Sequence, residues 1–338
     1  MIAPTDRRVI EREAVDAHEF AEGIATRSAP VVLRGQVAAW PAVAAGRGGH
    51  RALADYVARF AGGAPAETLV GPPEIGGRFF YRDDMRGLNF KREQIPLRRL
   101  MVELLRIADQ SAPPALYANA ATADEHLPGW AEENRLAFDP GGPARLWVGN
   151  ATQVATHYDR SPNIACVVAG KRRFTLFPPD QIANLYIGPI DRTIAGPPAS
   201  MVDPDAPDLT RYPRFSDALK HAQVAELEPG DALFIPSLWW HHVRAFGAIN
   251  VLVNYWRDDA ELPSPFVALV HAMMSVRDLP HAEKTAWRSW FDHYVFGANA
   301  DRAADHLPDF IRGVLGPPSA ERTKQLRAYV MGSLHQEG

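Results

Sequence analysis

Thr156-His157-Tyr158-Asp159 is the stretch on which the reading of this chain turns. It contains a His-x-Asp pair. On a β-strand, residues i and i+2 project to the same face, so this imidazole and carboxylate can close on one ion. Downstream, Trp239-Trp240-His241-His242 follows Gly230-Asp231-Ala232-Leu233-Phe234-Ile235-Pro236, which reads as a turn, a buried strand and a stop. The second motif can deliver a further imidazole from a distant strand. Two histidines and one carboxylate, leaving coordination positions open, form the facial triad suited to non-haem Fe(II) oxygen chemistry. A lone His-x-Asp is a weak signal, because a strand histidine hydrogen-bonded to a nearby carboxylate gives the same string. Here it is the only one in the chain, and the companion motif stands at the end of a predicted strand. The pair of motifs is far more specific than either alone.

The 338 residues make one large domain, or one domain with an appendage, and 46% hydrophobic residues can build a sizeable core. A net charge of -4 gives no basic footprint for nucleic acid, so no DNA partner is expected. The single cysteine, Cys166, excludes a disulfide framework and cysteine-rich zinc sites. It lies in the apolar run Ile164-Ala165-Cys166-Val167-Val168 and reads as buried filler. Met1-Ile2-Ala3-Pro4-Thr5-Asp6-Arg7-Arg8 has no apolar h-region, and no apolar stretch is long enough to span a bilayer. The expectation is a cytoplasmic protein without membrane contact.

Outward from the motifs, residues from Arg145 to Trp256 read as short strands between glycine and proline turns. The candidates are Arg145 to Gly149, Asn163 to Val168, Arg172 to Phe177, Val224 to Leu227, Ala232 to Ile235 and Ile249 to Trp256. No long helical crossover separates them, which favours an antiparallel sandwich or barrel. Ile187 to Pro213 is proline- and turn-rich and reads as a long loop able to rim a pocket. The N-terminal side mixes helices with short strands. Val15 to Arg27, Arg51 to Phe60 and Pro96 to Ile107 are helical, while Ala29 to Gly35, Arg78 to Arg82 and Leu116 to Asn119 are extended. In the helix from Pro96, Leu97, Leu100, Met101, Leu104 and Leu105 are expected to face inward. Beyond Trp256 the pattern is helical over Phe266 to Val276, Glu283 to Phe296, Asp301 to Val314 and Ala320 to Leu334. Trp287, Trp290, Phe291 and Tyr294 fall on one face there, either against the barrel or against a second copy.

Several chemistries lack their usual strings. The chain has no Walker-type loop, no His-Glu-x-x-His, no Gly-x-Ser-x-Gly and no Gly-x-Gly-x-x-Gly. Nucleotide hydrolysis, common zinc proteolysis and α/β-hydrolase chemistry are therefore unsupported.

His157-Tyr158-Asp159, Asn163 and Gly170-Lys171-Arg172-Arg173-Phe174-Thr175-Leu176-Phe177-Pro178-Pro179-Asp180 resemble the cupin-like JmjC oxygenases. Pro229 to Pro236, Trp239-Trp240-His241-His242-Val243 and Val253-Asn254-Tyr255-Trp256 complete the likeness. Within that family the chain is similar to the asparaginyl hydroxylase branch acting on hypoxia-inducible factor. The resemblance is strong from Leu116 to Trp256 and is one of architecture alone on either side. It implies a mainly β fold with flanking helices: a double-stranded β-helix of cupin or jelly-roll type, plus a C-terminal helical region. The expected division is an N-terminal α/β region over 1–115, a catalytic core over 116–258 and a helical, dimerising region over 259–338. It also implies Fe(II), 2-oxoglutarate and O2, with hydroxylation of a protein side chain or small amino-acid-like substrate and release of succinate and CO2. A cupin that binds metal without turnover is the alternative from another class. An oxygenase acting on RNA or a secondary metabolite is the alternative within the chemistry, and no reader domain or basic patch supports histone demethylation.

Carried over residue by residue, the resemblance assigns metal binding to His157, Asp159 and His241. Either His241 or His242 suits the chemistry; the family places its ligand directly after the Trp pair, and His242 would project to the opposite strand face. The family anchors the distal carboxylate of 2-oxoglutarate with a lysine fifteen residues after the first histidine, a position held here by Arg172. Arginine can grip a carboxylate through a bidentate fork. Lys171 and Arg173 would project oppositely, and a one-residue slip would make Lys171 the anchor. Tyr117, Asn163 and Asn254 match other co-substrate positions. Where the family has a threonine three residues before the first histidine, this chain has Val154, with Thr156 beside the ligand.

Overall fold

Two long strands carry the architecture. In the computed structural model, which describes residues 7–257 and 264–336, the expected strands Asn163 to Val168 and Arg172 to Phe177 are one strand, Asn163–Phe177. The strand expected from Ile249 begins much earlier, as Trp240–Trp256. In chain order the strands are β1 (Ile10–Glu13), β2 (Val31–Arg34), β3 (Pro65–Gly71), β4 (Lys91–Pro96), β5 (Ala115–Thr122), β6 (Arg145–Gly149), β7 (Gln153–Tyr158), β8 (Asn163–Phe177), β9 (Gln223–Leu227), β10 (Ala232–Ile235) and β11 (Trp240–Trp256). The principal order is β1-β2-β10-β8-β11-β6-β5-β3-β4, with β7 on β11 and β9 on β8.

β8 and β11 pair antiparallel, with register breaks between Phe246 and Leu252. Each changes partner along its length. The first part of β8 pairs with β10 and the second with β9. The first part of β11 pairs with β7 and the second with β6. This exchange of partners folds the strands into two facing sheets, the double-stranded β-helix. Gly170 permits the bend in β8: its φ is +75°, and a Cβ there would lie 1.9 Å from Asn250 Oδ1.

Alternation along β8 sorts the core into two sides. Ala165, Val167, Phe174 and Leu176 join Leu233, Ile235, Val243 and Leu252 inside the barrel. Cys166 and Val168 face the other way, with Val251 and Val253, onto Leu53, Val57, Leu100 and Leu104 of the flanking helices His50–Phe60 and Leu97–Ile107. Burying each such leucine contributes roughly 1.5–3 kcal/mol. In the second helix Ile107 is fully buried and Leu105 only partly so, because the apolar stripe follows i, i+3, i+4, i+7 and i+10.

The N-terminal region flanks the barrel by extending its sheet with β3 and β4. These strands and β1 escape the sequence reading: β4 exposes Lys91, Arg92, Glu93 and Gln94, leaving no apolar alternation to detect. Arg78 to Arg82 is not a strand. It makes only isolated bridges, Arg78 with Gln153 and Tyr81 with Leu88. Among the described residues no helix is long and apolar enough to cross a membrane.

The chain divides into two units, Met1–Asp258 and Asp259–Gly338. Residues 1–6, including most of the N-terminal segment read above, and residues 258–263, where the C-terminal region begins, lie outside the described residues. The second unit holds helices Pro265–Ser275, His281–Phe291 with a π-helical extension to Phe296, and Ala320–Gln336. The helix expected over Asp301 to Val314 is instead three short 3-10 turns. Pro308 cannot continue a helix and Gly313 adopts a φ of +52°, so the segment breaks there. Ala304 is the only buried hydrophobic residue among those described in this unit.

Candidate metal centre

Antiparallel register brings the two motifs together. β7 and β11 place His157 directly opposite His241, with ring centroids 4.3 Å apart. β7 ends at Tyr158, so Asp159 stands one residue beyond the strand, where its carbonyl accepts from the Leu238 amide at 2.9 Å. Its carboxylate still reaches both imidazoles: Oδ2 is 3.6 Å from His241 Nε2, and Oδ1 is 4.0 Å from His157 Nε2. The three residues expected as ligands thus form one cluster.

Each histidine is held by its other nitrogen. Nδ1–H of His157 donates to the Ala155 carbonyl and that of His241 to the Trp239 carbonyl, both at 2.9 Å. A carbonyl can only accept, so these bonds fix the tautomer and leave Nε2 with its lone pair. Burial, reinforced by the neighbouring His157 and opposed by Asp159, pulls the pKa of His241 down to about 4. It is therefore a neutral, ligand-competent imidazole at neutral pH. Asp159 is oriented through Oδ2, which accepts from Asn163 Nδ2 at 2.8 Å and Trp256 Nε1 at 3.1 Å. Oδ1 keeps its lone pairs free of both bonds.

His242 goes elsewhere. It is buried on the opposite side of β11, grouped with Asp203 and Asp205. Those carboxylates are met by arginines, Arg244 on Asp205 at 2.8 Å and Arg78 near Asp203 at 3.9 Å. That group reads as an ion-paired support of the strand.

The co-substrate positions divide by strand face. Arg172 is buried at 2% exposure, while Lys171 and Arg173 face solvent and pair with Glu228 and Glu226 at 2.7 and 2.9 Å. Among the described residues, Arg172 Nε and Nη2 have no hydrogen-bond partner. Burial works against the charge of Arg172, and the hydroxyl of Tyr117 beside it supplies a partial offset. Asn163 and Asn254 are buried, and their Oδ1 atoms, like Oγ1 of Thr156, have no hydrogen-bond partner among the described residues. Asn163 has a task that the sequence does not announce, since its amide supports Asp159 directly.

A cavity of about 120 Å³ opens on this cluster, lined by Tyr117, Asn119, Trp147, His157, Asp159 and Trp256 among others. The loop expected as a rim forms its cover through Ile194, Ala195, Pro197 and Ala199. Tyr81 Oη donates to the Arg192 carbonyl and Arg92 Nη2 to that of Ile194, each at 2.6 Å, tying the cover down. Trp256 and Trp147 are the site residues that sequence reasoning misses. Trp256 stands two residues after Asn254, and strand alternation is the signal that could have found it.

The cupin-like domain family matches this chain over residues 17–261. Among curated proteins, the lysine-specific demethylase JMJ31 of Arabidopsis thaliana is 38% identical over 112 residues, 33% of this chain and 20% of that protein. tRNA wybutosine-synthesizing protein 5 of Danio rerio is 40% identical over 115 residues, 33% of this chain and 31% of its own length. HSPB1-associated protein 1 of Homo sapiens is 33% identical over 150 residues, 43% of this chain and 29% of that protein. The aligned parts thus span about a fifth to a third of these relatives.

Proposed function

The chain belongs to the cupin-like domain family of JmjC type, and from that premise we propose that it is an Fe(II)- and 2-oxoglutarate-dependent dioxygenase that hydroxylates a protein side chain or small amino-acid-like substrate. One observation carries the reading. A fully buried guanidinium with Nε and Nη2 unpaired meets, through Tyr117, the cavity of His157 and Asp159. An uncompensated buried charge costs several kcal/mol, so the fitting occupant is an anion. Nε and Nη2 form one edge of the guanidinium fork, the edge that grips a carboxylate through two parallel hydrogen bonds.

His157, Asp159 and His241 would hold the iron through Nε2, Oδ1 and Nε2, their other polar atoms being committed to Ala155, to Asn163 with Trp256, and to Trp239. Arg172 and Tyr117 would hold the distal carboxylate of 2-oxoglutarate. When bound, iron with 2-oxoglutarate and O2 supplies oxidative hydroxylation, with release of succinate and CO2. The aromatic walls and the tied cover exclude water from the reacting group. Apart from His157 and Asp159 the described cavity lining carries no charged side chain.

The test is succinate formation from 2-oxoglutarate with Fe(II), O2 and ascorbate, uncoupled turnover included, beside calorimetric titration of metal and 2-oxoglutarate. Binding of neither ends the proposal. The C-terminal unit supports a second assignment, a homodimer through its helices: Trp290 is 59% and Tyr329 76% exposed, and Ala304 is the sole buried hydrophobic among the unit's described residues.

A further inference from the structure

Trp147 lies on β6 between two aromatic neighbours. Its ring stacks on Tyr117 at 5.7 Å and 30°, and meets Trp256 edge-on at 6.0 Å and 80°. Trp147, like Val154, packs against the barrel-interior cluster and lines the same cavity. Its Nε1–H is buried without a hydrogen-bond partner among the described residues. An indole nitrogen can only donate, and leaving such a donor unpaired costs roughly 1–3 kcal/mol. A buried orphan of this kind marks a missing acceptor.

The surroundings say which acceptor. Tyr117, on which Trp147 stacks, has its hydroxyl beside Arg172, whose Nε and Nη2 are also unpaired. Trp147 and Arg172 are thus both neighbours of Tyr117 and both carry orphaned N–H groups, and a carboxylate is the acceptor-only group that can take several donors. Val154 lines the same cavity as Trp147 and Tyr117 and offers no hydroxyl there. We propose that Trp147 Nε1–H is a donor to the distal carboxylate of 2-oxoglutarate. The proposal rests on the dioxygenase reading above.

The test uses the full chain loaded with Mn(II), which binds without turnover, and titrates 2-oxoglutarate calorimetrically. Trp147→Phe keeps a stacking ring and removes the N–H. The expected result is a roughly tenfold weaker Kd for 2-oxoglutarate, equivalent to about 1.4 kcal/mol, with Mn(II) affinity and melting temperature unchanged. 2-Oxobutyrate, which lacks the distal carboxylate, should bind wild type and Trp147→Phe equally, and Val154→Thr in the variant background should restore part of the loss. Arg172→Ala reports on the parent reading. If it weakens 2-oxoglutarate binding while Trp147→Phe does not, the Trp147 proposal alone falls and the N–H serves as a contact to the Trp256 ring. Equal losses for both ligands would make Trp147 a packing residue and also overturn the proposal. If wild type binds no 2-oxoglutarate, the parent reading falls and this one with it.

Discussion

The indole of Trp256 donates to Oδ2 of Asp159 across 3.1 Å, joining residues 97 positions apart. Asn163 reaches the same oxygen at 2.8 Å, so one carboxylate oxygen is fully engaged and the other is left for an ion. Partners of this kind commonly contribute about 10–100-fold to metal affinity. Trp256→Phe, which keeps the ring, should weaken Mn(II) binding about tenfold, and Trp256→Phe with Asn163→Ala should weaken it further. Calorimetric titration measures both. Wild-type affinity in the double variant would show that Asp159 needs neither donor.

Alanine at His157, Asp159 or His241 should abolish iron binding and turnover while leaving the barrel folded. His242→Ala should keep the metal, because that ring lies with Asp203 and Asp205 on the other side of β11. Its cost should appear as lowered thermal stability. Metal retained in His241→Ala and lost in His242→Ala would reverse the ligand assignment.

Arg172→Ala should raise the concentration of 2-oxoglutarate required far more than that of iron. Removing one partner of a buried, charge-assisted contact costs about 2–5 kcal/mol. Lys171→Ala should be silent, since that ammonium is exposed and paired with Glu228. A defect confined to Lys171→Ala would move the anchor by one residue.

Gly170→Ala and Gly247→Ala separate backbone strain from collision. Both glycines have positive φ, but an added Cβ meets Asn250 Oδ1 at 1.9 Å in the first and nothing within 4 Å in the second. Strain alone costs about 1–2 kcal/mol, and the overlap at Gly170 should add about 1–3 kcal/mol. Thermal unfolding should show the larger drop for Gly170→Ala. Equal drops would mean that β8 can shift away from Asn250 without loss.

Light scattering should return the mass of a dimer at tens of micromolar. Trp290→Glu should shift it toward the monomer without changing metal or 2-oxoglutarate binding in the barrel unit. A strictly monomeric wild type removes the dimer and leaves the catalytic proposal untouched.

The linear sequence by itself carried the ingredients. His157, Asp159 and the His241-His242 pair announce a cluster through residue type, and the short apolar runs between glycines and prolines announce a barrel. Those signals are local, fixed by side-chain chemistry and the period of a strand. Which histidine joins the cluster depends on the register of β11 against β7, where a bulge interrupts the pairing between His241 and Val243. The support of Asp159 by Trp256, and the cover tied down by Tyr81 and Arg92, join segments far apart in the chain. Such contacts exist only once the strands have bent and the loops have closed. The failed helix over Asp301 to Val314 differs in kind: Pro308 stands within it in the sequence itself, and a proline there breaks the helical hydrogen-bond ladder. The merging of two expected strands into β8 was decided by tertiary structure, because Gly170 reads as a turn in one dimension and serves as a bend within a continuous strand in three.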